Sequence, residues 1–347
     1  MRAEQWKHFK AAAKFQNTNG VPLSLIIDSP WMPGYLGIKH IDYYFDQDVW
    51  FQANMRIEEE FPEVIFFPSW WVEYGMTIEP SALGGKVRFE VDQTPSELPM
   101  LFHLEDLDQF AEFNPQTDGL MPAALRQYRA QKQRIFAAGY TMPAVAARGP
   151  LALAVFLRGL TPFMMDIADN PAGVHKLLSY TTNATVRWLQ VQAEAVGESV
   201  EGILVLDDIV GFLSRKHYQE FAHPYLQKVF SSFPPSWVKV YHNDARVDPF
   251  LEDLAEVGFD VLNWTHKLDI NEVRKRTGGK ICLMGNLPPL DLGVRGTPEE
   301  VKAATLNLLQ KAGREGVILS VGGGVSPGMP GANIRAMIEA VTAFNTQ

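Results

Sequence analysis

The feature that most restricts the fold is a unit repeated along the whole chain: a short apolar, β-rich run closed by polar or glycine residues, then a helix-like segment. Leu23–Asp28 closes on Asp28-Ser29-Pro30, and Val64–Trp71 leads into Val72-Glu73-Tyr74. Ala144–Gly149, the weakest run, ends at Arg148-Gly149-Pro150; Ile203–Leu206 closes on Asp207-Asp208, and Val238–Tyr241 on His242-Asn243-Asp244. Val261–Asn263 runs into Trp264-Thr265-His266, Ile281–Met284 closes on Gly285-Asn286, and Val317–Ser320 on Gly322-Gly323-Gly324. Continuous apolar runs suit strands buried on both faces, as in a parallel sheet. Eight such units predict an α/β fold of the (β/α)₈ TIM-barrel kind over an open sheet. Helical patterns between them cover Asn170–Glu194, Pro249–Val257, Pro298–Ala312 and Asn333–Phe344.

No linker rich in Ser, Gly or Pro divides the 347 residues, so residues 1–347 read as one barrel domain. Lys86–Tyr140 breaks the rhythm with a polar excursion from Asp92 to Pro99 and a helix near Pro122–Phe136. It reads as an insertion in an early βα loop, covering the barrel mouth. The net charge of −9, from 40 acidic and 31 basic residues, argues against a nucleic-acid partner, which requires clustered positive charge. Cys282 is the only cysteine, which excludes an intramolecular disulfide and a zinc site built on cysteines. Met1–Phe15 reads as an amphipathic helix rather than a secretion signal, and no run reaches the ~18 apolar residues of a membrane span. The expected location is the cytoplasm, with no membrane partner.

Chemistry in such a barrel sits at the carboxyl ends of the strands. The candidates there are Asp28, Glu73, Arg148, Asp207, Asp208, His242, Asp244, His266 and Asn286. Acidic and imidazole groups with a single arginine suit a metal or acid–base chemistry better than anion binding. His242 and Asp244 alternate at a strand end, so both can turn toward the barrel axis and begin a zinc site. The plainer reading makes Asp244 a helix cap and His242 a strand-end hydrogen-bonding group. Of the adjacent pair Asp207-Asp208, Asp207 reads as functional, with the alternative that one caps a helix and the other is solvated. The glycine-rich turn 322–328 reads as a phosphate cradle or as a tight turn. Trp70 and Trp71 point to opposite faces, one packing against a helix and one lining the pocket. His8, His40, His103, His175, His217 and His223 read as structural or solvated.

The segments "VKVYHNDARVDPFLEDLAEVGFDVLNW", "GKICLMGNLPPLDLGVRGTPEEV" and "VILSVGGGVSPGMPGANIRAMIEAV" carry a resemblance to the uroporphyrinogen decarboxylase superfamily. "ARGPLALAVFLRG", "LVLDDIVGFLS" and "EPSALGGKVRF" extend it over essentially the whole chain. The resemblance implies the barrel and, in the decarboxylase branch, a cofactor-free site with an aspartate, first-strand arginines, a tyrosine and a histidine. Here Asp28-Ser29-Pro30-Trp31 replaces the arginine motif, and Gly75, Phe156 and Gly323 stand where the aspartate, tyrosine and histidine are expected.

The other branch, the corrinoid-linked methyltransferases, implies zinc held by a His-x-Cys and a later Cys. His242 matches the histidine, Asp244 stands at the first cysteine and Gly323 at the second. The resemblance therefore implies transfer of a methyl group from a small O- or N-methylated donor to a partner corrinoid protein, with zinc on His242 and Asp244. Asp207 is expected to act with them, and Asp207 or Glu73 to complete the ligand set. Asp28, Trp70, Trp71, Glu73, Arg148, Phe156, Asn286 and Gly323 are expected around the substrate, in a homodimer of the kind usual among such proteins. Two alternatives stand beside this: a cofactor-free decarboxylase of another carboxylic acid or tetrapyrrole, and a non-catalytic tetrapyrrole or corrinoid binding protein.

Overall fold

The computed structural model describes residues 1–110 and 113–347. Ten strands form: β1 (Ser24–Ile26), β2 (Ile65–Phe67), β3 (Lys86–Arg88), β4 (Ser96–Leu98), β5 (Ala144–Arg148), β6 (Gly202–Leu206), β7 (Val238–Asn243), β8 (Val261–Trp264), β9 (Cys282–Leu287) and β10 (Val317–Val321). β5 to β10 pair in chain order as one parallel sheet, and β1 pairs parallel with β2. A parallel bridge between Leu23 and Leu319 joins the two sets, giving the order β2-β1-β10-β9-β8-β7-β6-β5. All eight runs expected from the sequence are therefore strands of one α/β ring. Among the described residues no ladder laces β2 to β5.

Period-two alternation sorts the strand residues into two cores. Ile26, Phe67, Ala146, Leu204, Val240, Met284 and their neighbours fill the lumen, and Trp6 and Phe9 close it from below, with Phe9 stacked 4.8 Å from Phe67. Ile203, Val205, Tyr241, Leu262 and Leu283 face outward onto the helices. Those helices include Gln47–Glu60, Met121–Ala137, Pro150–Arg158, Pro171–Val196, Pro298–Ala312 and Gly331–Asn345. Pro298–Ala312 starts where its sequence says it must: Thr297 and Glu300 form a reciprocal capping box ahead of Pro298. Among the described residues no single helix is long and apolar enough to cross a membrane.

Two expectations need correction. The second run was read as a strand to Trp71, but β2 stops at Phe67, because Pro68 lacks an N–H and Ser69 and Trp70 take φ of 80° and 52°. The Pro249–Val257 helix shrinks to a single-turn start at Asp248–Phe250 and a four-residue helix, Leu251–Leu254. Within Lys86–Tyr140, of which residues 111 and 112 lie outside the described residues, β3 and β4 form an antiparallel hairpin. Helix Met121–Ala137 from the same stretch packs against Pro171–Val196 in the outer ring.

Candidate metal centre

The ladder registers place Arg148, Leu206, His242, Asn263, Met284 and Ile318 opposite one another from β5 to β10. These residues form one inward-facing tier at the carboxyl ends, where parity continues from the lumen residues below. His242 is thus turned into the ring by the same alternation that buries Val238 and Val240. Asp244 follows with the same parity. Asp208 reaches in from the end of β6, its Oδ1 accepting the Asp244 N–H at 3.1 Å and standing 3.6 Å from His242 Nε2. One ligand atom from each of Asp208, His242 and Asp244 lies within 4.8 Å of the other two.

The proton on His242 is fixed by its neighbours. Asn263 Nδ2 donates to two backbone carbonyls, Met284 O at 2.8 Å and Val321 O at 3.0 Å. Only Oδ1 is then left to face His242 Nδ1, 2.7 Å away. An oxygen acceptor there requires Nδ1 to carry the hydrogen, which leaves the Nε2 lone pair aimed at the two carboxylates. The imidazole is 5% exposed, so this orientation is held by packing as well. Burial, and the charge of Asp244, push the Asp208 carboxyl up, while the His242 charge opposes them.

Asp207, expected to act with His242, is elsewhere. It is fully buried, with Oδ1 accepting from Ala152 N–H at 2.8 Å and Oδ2 from Leu151 N–H at 3.0 Å. Helix Pro150–Arg158 has no side-chain cap of its own, and Asp207 supplies one from the next strand, at the positive end of the helix dipole. Both oxygens are engaged, so its neighbour Asp208 takes the place in the group. The sequence shows two adjacent aspartates; which one faces inward depends on where β6 ends.

Gly323 does lie beside the triad. It has φ of 123°, and a Cβ there would sit 2.6 Å from Asp244 Oδ2. A side chain at 323 and Asp244 in this orientation exclude one another, so the Asp244 carboxylate fills the room that a residue at 323 would take. Gly75 has φ of 62°, and a Cβ there would sit 2.2 Å from Cδ of Pro95 in the β3–β4 hairpin. An aspartate at that position is therefore ruled out by the hairpin lying over it.

The remaining candidates are dispersed. Arg148 lies in the His242 tier, its guanidinium 3.7 Å from the centre of the Phe156 ring. Its Nε donates to Met76 O at 2.6 Å, and it approaches Glu97 Oε1 at 3.7 Å. Glu97, Glu79, Asp208 and Glu73 all act on the Arg148 charge, against burial that lowers its pKa. Trp70 was an expected substrate contact, but it is 2% exposed and packs in the outer core 5.8 Å from Trp50 and 5.2 Å from Phe51. Trp71 keeps to the lumen side, 7% exposed. Asn286 Nδ2 donates to Thr265 O at 3.1 Å and Leu268 O at 2.7 Å, bracing the loop after β8. Asp28 and Glu73 lie near the ends of β1 and β2, where the Glu73 charge adds to the burial that raises Asp28, and Glu73 is absent from the triad. Asn263, Glu79 and Glu97 went unread in the sequence. Only the strand register shows that Asn263 stands opposite His242.

The uroporphyrinogen decarboxylase (URO-D) family profile matches residues 35–344. A uroporphyrinogen decarboxylase of Serratia proteamaculans is 27% identical over 283 residues, 76% of this chain and 75% of that protein. One from Chlorobaculum parvum is 30% identical over 179 residues, 49% of each chain. Among solved structures, a methyltransferase from Methanosarcina mazei superposes with a TM-score of 0.84 over 98% of both chains at 20% identity. A B12-independent methionine synthase from Shewanella sp. W3-18-1 gives a TM-score of 0.61 at 11% identity, over 94% of this chain and 97% of that one. With the profile spanning nearly the whole barrel, this chain belongs to the uroporphyrinogen decarboxylase family.

Proposed function

We propose that this chain is a zinc-assisted methyltransferase, moving a methyl group from a small O- or N-methylated donor to a corrinoid held by a partner protein. The observation that carries the reading is the grouping of His242, its Nε2 lone pair fixed by Asn263, with Asp208 and Asp244 inside 4.8 Å. One nitrogen and two carboxylate oxygens would suit zinc. Bound zinc would supply Lewis acidity to the heteroatom that loses its methyl group. The protein's part is to hold that site. Asn263 keeps the imidazole in one tautomer, Asp208 and Asp244 bring the negative charge, and Gly323 leaves room for the Asp244 carboxylate. The transfer would break the carbon–heteroatom bond with the heteroatom keeping its electron pair, and a reduced corrinoid on the partner would supply the pair that takes up the methyl carbon. The Methanosarcina methyltransferase supports the reading at the level of shared fold.

Decarboxylation of a polycarboxylate is the weaker reading. Such a substrate calls for cations, and Arg148 already faces Glu97 and Glu79. The relatives' aspartate position is Gly75, under Pro95.

Metal analysis of the purified protein by plasma mass spectrometry tests the proposal. Near-stoichiometric zinc, lost in His242→Ala and Asp244→Ala, is the expected result. Methyl transfer to a corrinoid should then appear with some member of a methyl-donor panel. A well-folded wild type that binds no zinc sinks the mechanism.

A further inference from the structure

Between β2 and β5, where no ladder runs among the described residues, the β3–β4 hairpin spans the mouth. Pro95 rests on Gly75, after β2, and Glu97 reaches Arg148 at the end of β5. The three register pairs of the hairpin belong to no larger sheet, and two strands alone in water are marginal. It stays down only through what its inner face meets. Val87 and Glu97 stand opposite one another and are half-buried, while Lys86, Arg88, Ser96 and Leu98 are exposed, so alternation gives the hairpin one inner and one outer face. Phe89 continues the inner face, its ring 4.8 Å from that of Phe45 and 5.7 Å from that of Tyr44. The Val91 carbonyl accepts the Ile41 N–H at 3.0 Å.

Against these apolar contacts, Glu97 fits badly. Its side chain is 6% exposed, Oε1 stands 3.7 Å from Arg148 Nη2, and Oε2 reaches no hydrogen-bond partner. Burying a carboxyl with bonds unmade is costly, and the cost disappears once water reaches the group. The neck of the hairpin is built to turn. Gly84, with φ of 99°, and Gly85 lead into it, and Pro99 leads out. Fixed points lie just beyond: Gly85 N–H donates to Pro80 O at 2.8 Å, and the N–H groups of Met100 and Leu101 both donate to Leu157 O at 2.9 Å. A Cβ on Gly84 would sit 2.9 Å from Met100 Sδ, so the two ends of the neck lie together, as a hinge requires.

We propose that the β3–β4 hairpin is a gate over the gap between β2 and β5, swinging about Gly84–Gly85 and Pro99, and that the half-satisfied Glu97 carboxyl loosens its closed position. Lifting the hairpin uncovers Gly75 and the guanidinium of Arg148, a residue two strands from His242 in the same inward tier. The opening gives a small molecule a side entrance to the triad. That this molecule is a methyl donor rests on the function proposed above; the motion of the hairpin does not. Segments of this kind, held by few contacts, are where proteins open locally and where lids are found.

The test places one cysteine on each face of the hairpin in the full chain, Val87→Cys inside and Ser96→Cys outside, and follows reaction with the thiol reagent dithionitrobenzoate. Cys282 is buried and stays silent. The reaction is run at about pH 8, where Glu97, raised by burial to about 7, is ionised. The Val87→Cys thiol should react at least about 10-fold more slowly than the Ser96→Cys thiol, yet to completion. Adding Glu97→Gln should slow the inner thiol about fivefold further and leave the outer one unmoved. An inner thiol as inert as Cys282 would make the hairpin a fixed wall, and one as fast as the outer thiol would mean that it is not seated; either result overturns the gate. An unchanged rate with Glu97→Gln would overturn the part given to Glu97. Removal of zinc by EDTA should also slow about fivefold in Glu97→Gln, and unchanged removal would overturn the gate as a way to the triad. A protein that holds no zinc fails the function proposed above, and the two thiols still decide the gate. They do so without Glu97→Gln if that variant does not fold.

Discussion

The two sides of the barrel mouth hold their acidic groups by opposite means. On the β6–β8 side, His242 stands on regular parallel ladders with Asp208 and Asp244 just past the ends of β6 and β7, and each supporting bond runs to a register partner or a backbone group. On the β1–β2 side, Glu73 is carried by an irregular turn and is 3% exposed, its two oxygens accepting from the Ser29 and Met76 N–H groups. Regular strands place a side chain by counting residues. The turn places it by filling space around it and by turning backbone N–H groups onto its oxygens.

Breaking the first side should have the largest effect. His242→Ala is expected to lower zinc affinity by at least about 100-fold, while Asp28→Asn leaves it unchanged; equilibrium metal competition reads both. Equal losses in the two variants would erase the distinction between the sides. Next comes Asn263→Ala, which removes the acceptor that sets the imidazole tautomer. Zinc affinity should fall about 10–100-fold, with imidazole proton shifts in NMR showing the second tautomer appear. Unchanged affinity would mean that packing alone orients His242.

A smaller effect, on stability alone, follows from the placement of Asp207. Asp207→Ala should cost about 1–2 kcal/mol in denaturant unfolding, the price of an uncapped helix start, and leave zinc stoichiometry intact. Loss of zinc in that variant would return Asp207 to the metal group. The smallest concerns pH. Burial raises Glu97 to about 7 from an ordinary value of 4.5, so the folded state holds a proton that the unfolded chain has released. Stability therefore declines as pH rises from about 4.5 through 7, by an amount on the order of 1 kcal/mol, and Glu97→Gln should flatten that part of the profile. A profile with the same slope in the variant would assign the proton to another group, Glu73 being the first to examine.

What could be read in the sequence divides along the same line. The eight runs, the inward pairing of His242 with Asp244, and the nearness of Gly323 follow from period-two counting and a known fold resemblance. Asp207 and Asp208 could not be separated that way, since the choice depends on one residue of strand length. Alternation put Trp70 and Trp71 on opposite faces, as the structure has them, but it did not say which of the two packs outward. Asn263 and Glu97 needed three-dimensional neighbours: a ladder partner in one case and a hairpin reaching Arg148 in the other.

Among the described residues no ladder joins β2 to β5, and the ring is there a split collar rather than a hoop. At the mouth, the clasp across the split is Arg148 at the end of β5. Its backbone N–H donates to Glu79 Oε1 at 2.8 Å, its Nε donates to the Met76 carbonyl, and its guanidinium leans toward Glu97 of the hairpin. Side chains, unlike a sheet, can be undone one at a time. Across this gap the mouth is therefore held by separable contacts, of which those of Arg148 join the end of β5 to the segment after β2 and to the hairpin.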